Sequence, residues 1–116
     1  HISYLPYNRG SHPNFWSFVD KTPSGITIHE VNSGIDTGGI ICRKKIKFNL
    51  HKRLTFRKTY KKLNTEIEKL FMINFKKIIN RTYHLKKQKN IGTFHYKKDL
   101  PKNFKGWDAK ISEYIK

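Results

Sequence analysis

The chain has 116 residues, 36% of them apolar, which is enough for one modest core. Its 25 Lys and Arg against 8 Asp and Glu give a formal charge of +17, so anionic partners must be considered, nucleic acid among them. A lone cysteine, Cys42, excludes an intrachain disulfide and a cysteine-rich zinc site. No apolar run approaches the roughly 18 residues a membrane span requires, and residues 1–10 carry neither a basic leader nor an apolar signal core; a soluble, cytoplasmic protein is expected.

In chain order, residues 1–14 mix His, Pro, Gly and Asn with Ile2, Tyr4, Leu5 and Tyr7, which reads as a strand end entering a shaped loop. Phe15, Trp16, Phe18 and Val19 make a compact apolar patch of one or two helical turns, read as core filling. Pro23, Ser24 and Gly25 signal a turn, and the β-favouring run Ile26 to Val31 predicts a strand. Asn32 to Gly39 is a glycine-rich loop around Asp36, followed by a second predicted strand from Ile40 to Phe48 with Lys45 and Lys47 on its wet face. From Thr55 to Asn80 the period changes. Tyr60, Leu63, Ile67, Leu70, Phe71, Phe75, Ile78 and Ile79 recur three or four residues apart, predicting a long amphipathic helix with Lys62 and Glu66 paired on its surface. Lys86 to Gly92 is basic and polar, Thr93 to Tyr96 reads as an aromatic turn or short strand, and Trp107, Ile111, Tyr114 and Ile115 predict a terminal helix.

Two stretches carry candidate chemistry. A neutral histidine such as His1 accepts a proton or hydrogen bond, and an ionised aspartate such as Asp36 orients it or supports its charged form, a pairing suited to acyl-group transfer. His12, His51 and His84 lack metal-ligand spacing, and no metal is expected.

The order of residues around these two points resembles the formyltransferase family, which uses 10-formyl-tetrahydrofolate. His1-Ile2-Ser3-Tyr4-Leu5-Pro6 followed by Asn8-Arg9-Gly10 is similar to the segment of its catalytic histidine. Thr27 to Val31, then Ser33-Gly34-Ile35-Asp36-Thr37-Gly38, is similar to the later strand and catalytic aspartate loop. His12 to Phe18, Leu54 to Phe71, and Gly92 to Tyr96 followed by Asp99-Leu100 resemble the sugar N-formyltransferases in particular.

The resemblance implies an α/β fold: part of a Rossmann-like formyltransferase domain, with short strands followed by the long helix. Residues 1–85 would be the C-terminal half of the catalytic domain and 86–116 a short C-terminal extension. It implies His1 and Asp36 as catalytic residues, with a third, an asparagine two positions ahead of the histidine, lying before the first residue. His29, Gly34 and Ile35 would line the folate, although His29 also suits a hydrogen-bonded place in the core. Arg9, Phe94 and Tyr96 would meet the substrate; Arg9 equally suits tying down its loop, and the two aromatics suit packing. The implied reaction, once the preceding half is supplied, moves a formyl group onto the primary amine of a nucleotide-linked amino sugar. Formylation of methionyl-tRNA or of a glycinamide nucleotide is the alternative within the family. A basic nucleic-acid-binding module or a non-catalytic truncated fragment is the alternative outside it, and a homodimer is compatible with the helix.

Overall fold

The computed structural model describes residues 1–89 and 91–115. In chain order they form β1 (Arg9–Gly10), α1 (Pro13–Val19), β2 (Gly25–His29), β3 (Ile40–Lys45), α2 (Phe56–Asn80) and β4 (Phe94–His95), with 3-10 turns at Lys97–Asp99 and Ile111–Glu113. This is the mixed α/β arrangement of short strands and one long helix that the sequence predicts.

β2 and β3 pair antiparallel from Gly25↔Lys45 to Ile28↔Cys42, and the next pair, His29↔Ile40, skips Ile41. That bulge closes the ladder, since an extra residue kinks a strand and re-aims its side chains. The strands stop at His29 and Lys45, short of the predicted Val31 and Phe48. Val31 lies beyond any partner and is 91% exposed, while Phe48 leaves the ladder to pack against both apolar clusters.

Thr27 is fully buried and organises the first residues around β2. Its hydroxyl donates to the Ser3 carbonyl at 2.7 Å and accepts from the Leu5 N–H at 3.1 Å. Its backbone exchanges two bonds of 2.9 Å with His1. The loop from Tyr4 to Asn8 is then fastened from the far end of the chain. Thr93 accepts from the Asn8 N–H through its hydroxyl at 2.7 Å and from the Arg9 N–H through its carbonyl at 2.9 Å. The short parallel pair of β1 with β4 follows directly.

α2 begins at Thr55, whose hydroxyl accepts from Lys58 N–H at 3.3 Å, and ends at a left-handed Arg81, where the N–H groups of Arg81 and Thr82 close on the carbonyls of Ile78 and Lys77. Two of the unpaired N–H groups in its first turn donate to the tail: Phe56 to Ala109 at 3.3 Å and Arg57 to Trp107 at 2.8 Å. The same contacts explain why the predicted terminal helix is a single 3-10 turn. The Trp107 and Ala109 carbonyls are already spent on α2, and the Ile111 N–H donates to Leu54 O at 2.9 Å instead of to its own helix.

The core has two parts. Phe15, Trp16, Phe18, Leu54, Phe56, Ala109 and Ile111 gather α1, the start of α2 and the tail. Ile26, Ile46 and Leu63, with Ile2, Ile67 and Leu70 against them, join the β2–β3 ladder to the first half of α2. Past Leu70 the apolar stripe of the helix is left uncovered: Phe71, Met72, Ile73, Phe75 and Ile79 are between 40% and 79% exposed. No helix of the described residues is long and apolar enough to cross a membrane.

Candidate active site

The loop from Asn32 to Gly39 leaves β2 at the bulge and re-enters the ladder at β3, so its tip hangs beside the start of the chain. Gly38 lets it pass the preceding strand closely. A Cβ there would stand 1.6 Å from the Glu30 carbonyl oxygen, which no side chain could relieve. At the tip Asp36 takes a left-handed backbone, φ 55°, a conformation short polar residues tolerate.

The Asp36 carboxylate faces three groups from three segments. Its Oδ2 accepts from the Gly10 backbone N–H at 2.8 Å. Its Oδ1 lies 3.6 Å from Nδ1 of His1 and 3.6 Å from Nε2 of His29. Gly10 holds φ +87° and is closed in by the His95 carbonyl, so only glycine fits where that N–H is presented. All three site side chains are mostly buried, at 12%, 13% and 20% exposure for His1, His29 and Asp36.

Each imidazole is oriented from behind. Nε2 of His1 is 2.9 Å from the Asn8 carbonyl, and Nδ1 of His29 is 2.8 Å from the Glu30 carbonyl. A carbonyl only accepts, so both of these nitrogens carry protons, and each ring turns its other nitrogen toward the same carboxylate oxygen. The two rings stand edge to face with centroids 6.2 Å apart. A single further proton on either ring makes an ion pair across 3.6 Å. Two imidazoles and a carboxylate thus converge on one point, and these are side-chain types that general acid–base chemistry uses.

Gly34 and Ile35 lie on the same loop. The Gly34 N–H donates to Asn32 Oδ1 at 2.9 Å, and Ile35 leaves 58% of its surface open. Arg9 is engaged within the protein. Its Nε and Nη2 donate to Gln88 Oε1 at 3.0 and 2.6 Å, and Nη1 donates to the Ile91 carbonyl at 3.1 Å. Phe94 and Tyr96 pack edge to face 4.7 Å apart, both partly open to solvent. Among the described residues no group of His, Cys, Asp and Glu could hold a metal.

Gln88 carries no signal in the sequence, and Asn8 and Gly10 stand there only within the Asn8-Arg9-Gly10 stretch that follows His1, without the roles they take here. Asn8, 1% exposed, supplies the carbonyl behind His1 and donates through Nδ2 to Thr22 at 2.8 Å. Gly10 supplies the N–H on Asp36, and Gln88 holds the Asp36 loop. Backbone donors and carboxamides leave no chemical mark in a sequence; only the approach of residue 88 to residue 36 reveals them.

No family model matches the chain. A solved formyltransferase from Anoxybacillus kamchatkensis, PseJ, superposes with a TM-score of 0.90 and 39% identity over 99% of this chain and 62% of its own; that structure holds UDP-4,6-dideoxy-4-formamido-L-AltNAc and tetrahydrofolate. A dTDP-4-amino-4,6-dideoxyglucose formyltransferase of Mycobacterium tuberculosis is 29% identical over 100 residues, 86% of this chain and 42% of the relative. A methionyl-tRNA formyltransferase of Prochlorococcus marinus is 32% identical over 94 residues, 80% of this chain and 26% of the relative. The chain thus spans less than half the length of these two curated relatives. With that fold and that coverage, the chain belongs to the formyltransferase superfamily, in its sugar N-formyltransferase-like form.

Proposed function

We propose that these residues serve an enzyme that transfers a formyl group from 10-formyl-tetrahydrofolate to the primary amine of a nucleotide-linked amino sugar. The meeting of His1 and Asp36, two residues distant in sequence, in one partly buried site carries this reading. It is supported by the superposition of nearly the whole chain on a formyltransferase that holds tetrahydrofolate and a formamido sugar nucleotide. The loop's exposed Ile35 beside the carboxylate offers an apolar surface for the flat rings of a folate, and Gly34 and His29 flank it.

A bound 10-formyl-tetrahydrofolate supplies a formyl carbon open to attack by a free amine. Asp36, held by the Gly10 N–H, takes the proton that the attacking amine loses and passes it toward the leaving nitrogen. His1 in its charged form stabilises the negative charge that grows on the formyl oxygen. Its 3.6 Å separation from Asp36 is longer than a hydrogen bond, as catalytic contacts commonly are before substrate tightens them. His29 keeps Asp36 between two rings. Phe94 and Tyr96 line the approach of the sugar nucleotide, and Arg9, engaged by Gln88 and the Ile91 carbonyl, ties down the loop beside it.

Within this reading, residues 1–85 belong to the catalytic domain and 86–116 form a short extension that reaches back over it through β4 and Gln88. A cytoplasmic location is part of the proposal. A second reading, formylation of an amine on transfer RNA, is favoured by the Prochlorococcus relative and by the +17 charge.

The test assays the native polypeptide that carries these residues with 10-formyl-tetrahydrofolate and a panel of amino-sugar nucleotides, alongside Asp36→Asn and His1→Asn. Each substitution is expected to lower kcat by about 10² to 10⁴, the usual contribution of a general acid–base group. Turnover by Asp36→Asn at the parent rate would remove the proposed chemistry. Formylation of charged transfer RNA, with no reaction on any sugar, would transfer the assignment to the second reading.

A further inference from the structure

The Gln88 carboxamide uses its full hydrogen-bonding capacity, and it uses it between the two loops that make the site. Nε2 donates to the carbonyls of Asp36 at 2.9 Å and Gly38 at 2.8 Å. Oε1 accepts Nε and Nη2 of Arg9 at 3.0 and 2.6 Å. Two donors and two lone pairs are all a primary amide has. The next residue after Arg9, Gly10, donates its N–H to the Asp36 carboxylate. A closed ring results: Gln88 holds the backbone of Asp36, Arg9 holds Gln88, and the neighbour of Arg9 holds the side chain of Asp36.

The ring matters because the aspartate loop has few other ties. Among its described hydrogen bonds, Asn32 Oδ1 accepts from the Gly34 N–H and the Thr37 hydroxyl, both inside the loop, and Glu30 N–H donates to Gly39 O at its base. Beyond these, Gly10 grips only the carboxylate, whereas Gln88 grips the peptide backbone that sets where the carboxylate starts. Asp36 sits at φ 55°, so its backbone relies on such external bonds to stay in place.

We propose that Gln88 is a positioning residue for formyl transfer, fixing the Asp36 loop so that one carboxylate oxygen stands between His1 and His29. The proposal rests on the reading of His1 and Asp36 as the reacting pair. It assigns Arg9 a share in this work as the anchor of Gln88. No other side chain offers both halves: glutamate retains the acceptor for Arg9 but presents oxygen to two carbonyl oxygens, and methionine retains only the length.

The difference between Glu and Gln therefore separates the two ends of the clamp. In the native polypeptide, Gln88→Glu keeps the Arg9 contact and breaks the Asp36 contact; Gln88→Met breaks both. Each is assayed at a temperature where circular dichroism shows it fully folded, with Asp36→Asn alongside. The expected result is a fall in kcat of about ten- to a hundred-fold for both Gln88 variants, the scale of a catalytic group misplaced by about 1 Å. The KM for the amine substrate stays within about two-fold, because the losses lie in the oriented step and not in binding. Equal kcat for Gln88→Glu and the parent, with Asp36→Asn inactive, overturns the role of Gln88 and leaves the reacting pair standing. Parent-level turnover by Asp36→Asn overturns both.

Discussion

Thr27 shows how much of the site depends on one buried hydroxyl. It sits in the middle of β2, satisfies Ser3 and Leu5 with its side chain and His1 with its backbone, and so decides where the His1 ring begins. Thr27→Val keeps the shape and strands a buried carbonyl and a buried N–H. The expected cost is about 1–3 kcal/mol in urea unfolding, with Thr27→Ser far milder because it keeps the hydroxyl. Equal stability of the valine and serine variants would refute this account. The sequence marked His1 and Asp36 through the order of residues around them, and the strand around Thr27 through its alternation. It did not mark the roles of Asn8, Gly10 or Gln88, because their contributions are a carbonyl, an N–H and an amide whose partners lie up to 79 residues away.

At the level of elements, α2 is one helix in two environments. Leu63 is 1% exposed in a cluster with Ile26 and Ile46, while Ile73 is 79% exposed on the uncovered second half. In the 116-residue chain, Leu63→Ala is expected to cost about 2–5 kcal/mol by leaving a cavity. Ile73→Lys, on a solvent-facing site, should stay within about 0.5 kcal/mol. Similar losses at both positions by chemical denaturation would contradict this division. The 3.6-residue period located the helix well, since a stripe of apolar residues belongs to the sequence itself. Which half of the stripe is covered is not written in it, because that depends on which distant residues, such as Ile26 and Ile46, pack against the helix. The tail makes the same point: Trp107, Ile111, Tyr114 and Ile115 have helical spacing, yet their backbone groups are diverted to α2 and Leu54.

Across the whole molecule, 25 basic against 8 acidic residues leave the folded chain repelling itself, and the few carboxylates matter accordingly. Asp108 is held below its ordinary range first by the hydrogen bond from Arg57 and then by that residue's charge, with contacts of 2.6 and 3.2 Å. Glu66 is likewise lowered, first by the hydrogen bond from Lys62. A carboxyl whose folded value is depressed gives stability above its unfolded value and loses it as pH falls through the folded one. Thermal unfolding midpoints should therefore fall on acidification below the ordinary carboxylate range, more steeply at low salt. Asp108→Asn should separate from the parent near neutrality and converge with it in acid. Both partners of the Arg57–Asp108 pair are largely exposed, so the separation should be small. A constant offset across the range would show that the pair does not respond to protonation.

Residue order and periodicity were enough to set the α/β class, the long helix, the β2 and β3 strands and the candidates His1 and Asp36, because each is written in neighbouring residues or a short repeat. Tertiary structure alone brought the two loops together, ended β2 at the bulge, turned the tail into a cap for α2 and closed the ring through Gln88. Those features depend on where backbone donors and acceptors far apart in the chain find one another, and every residue carries such groups regardless of its side chain.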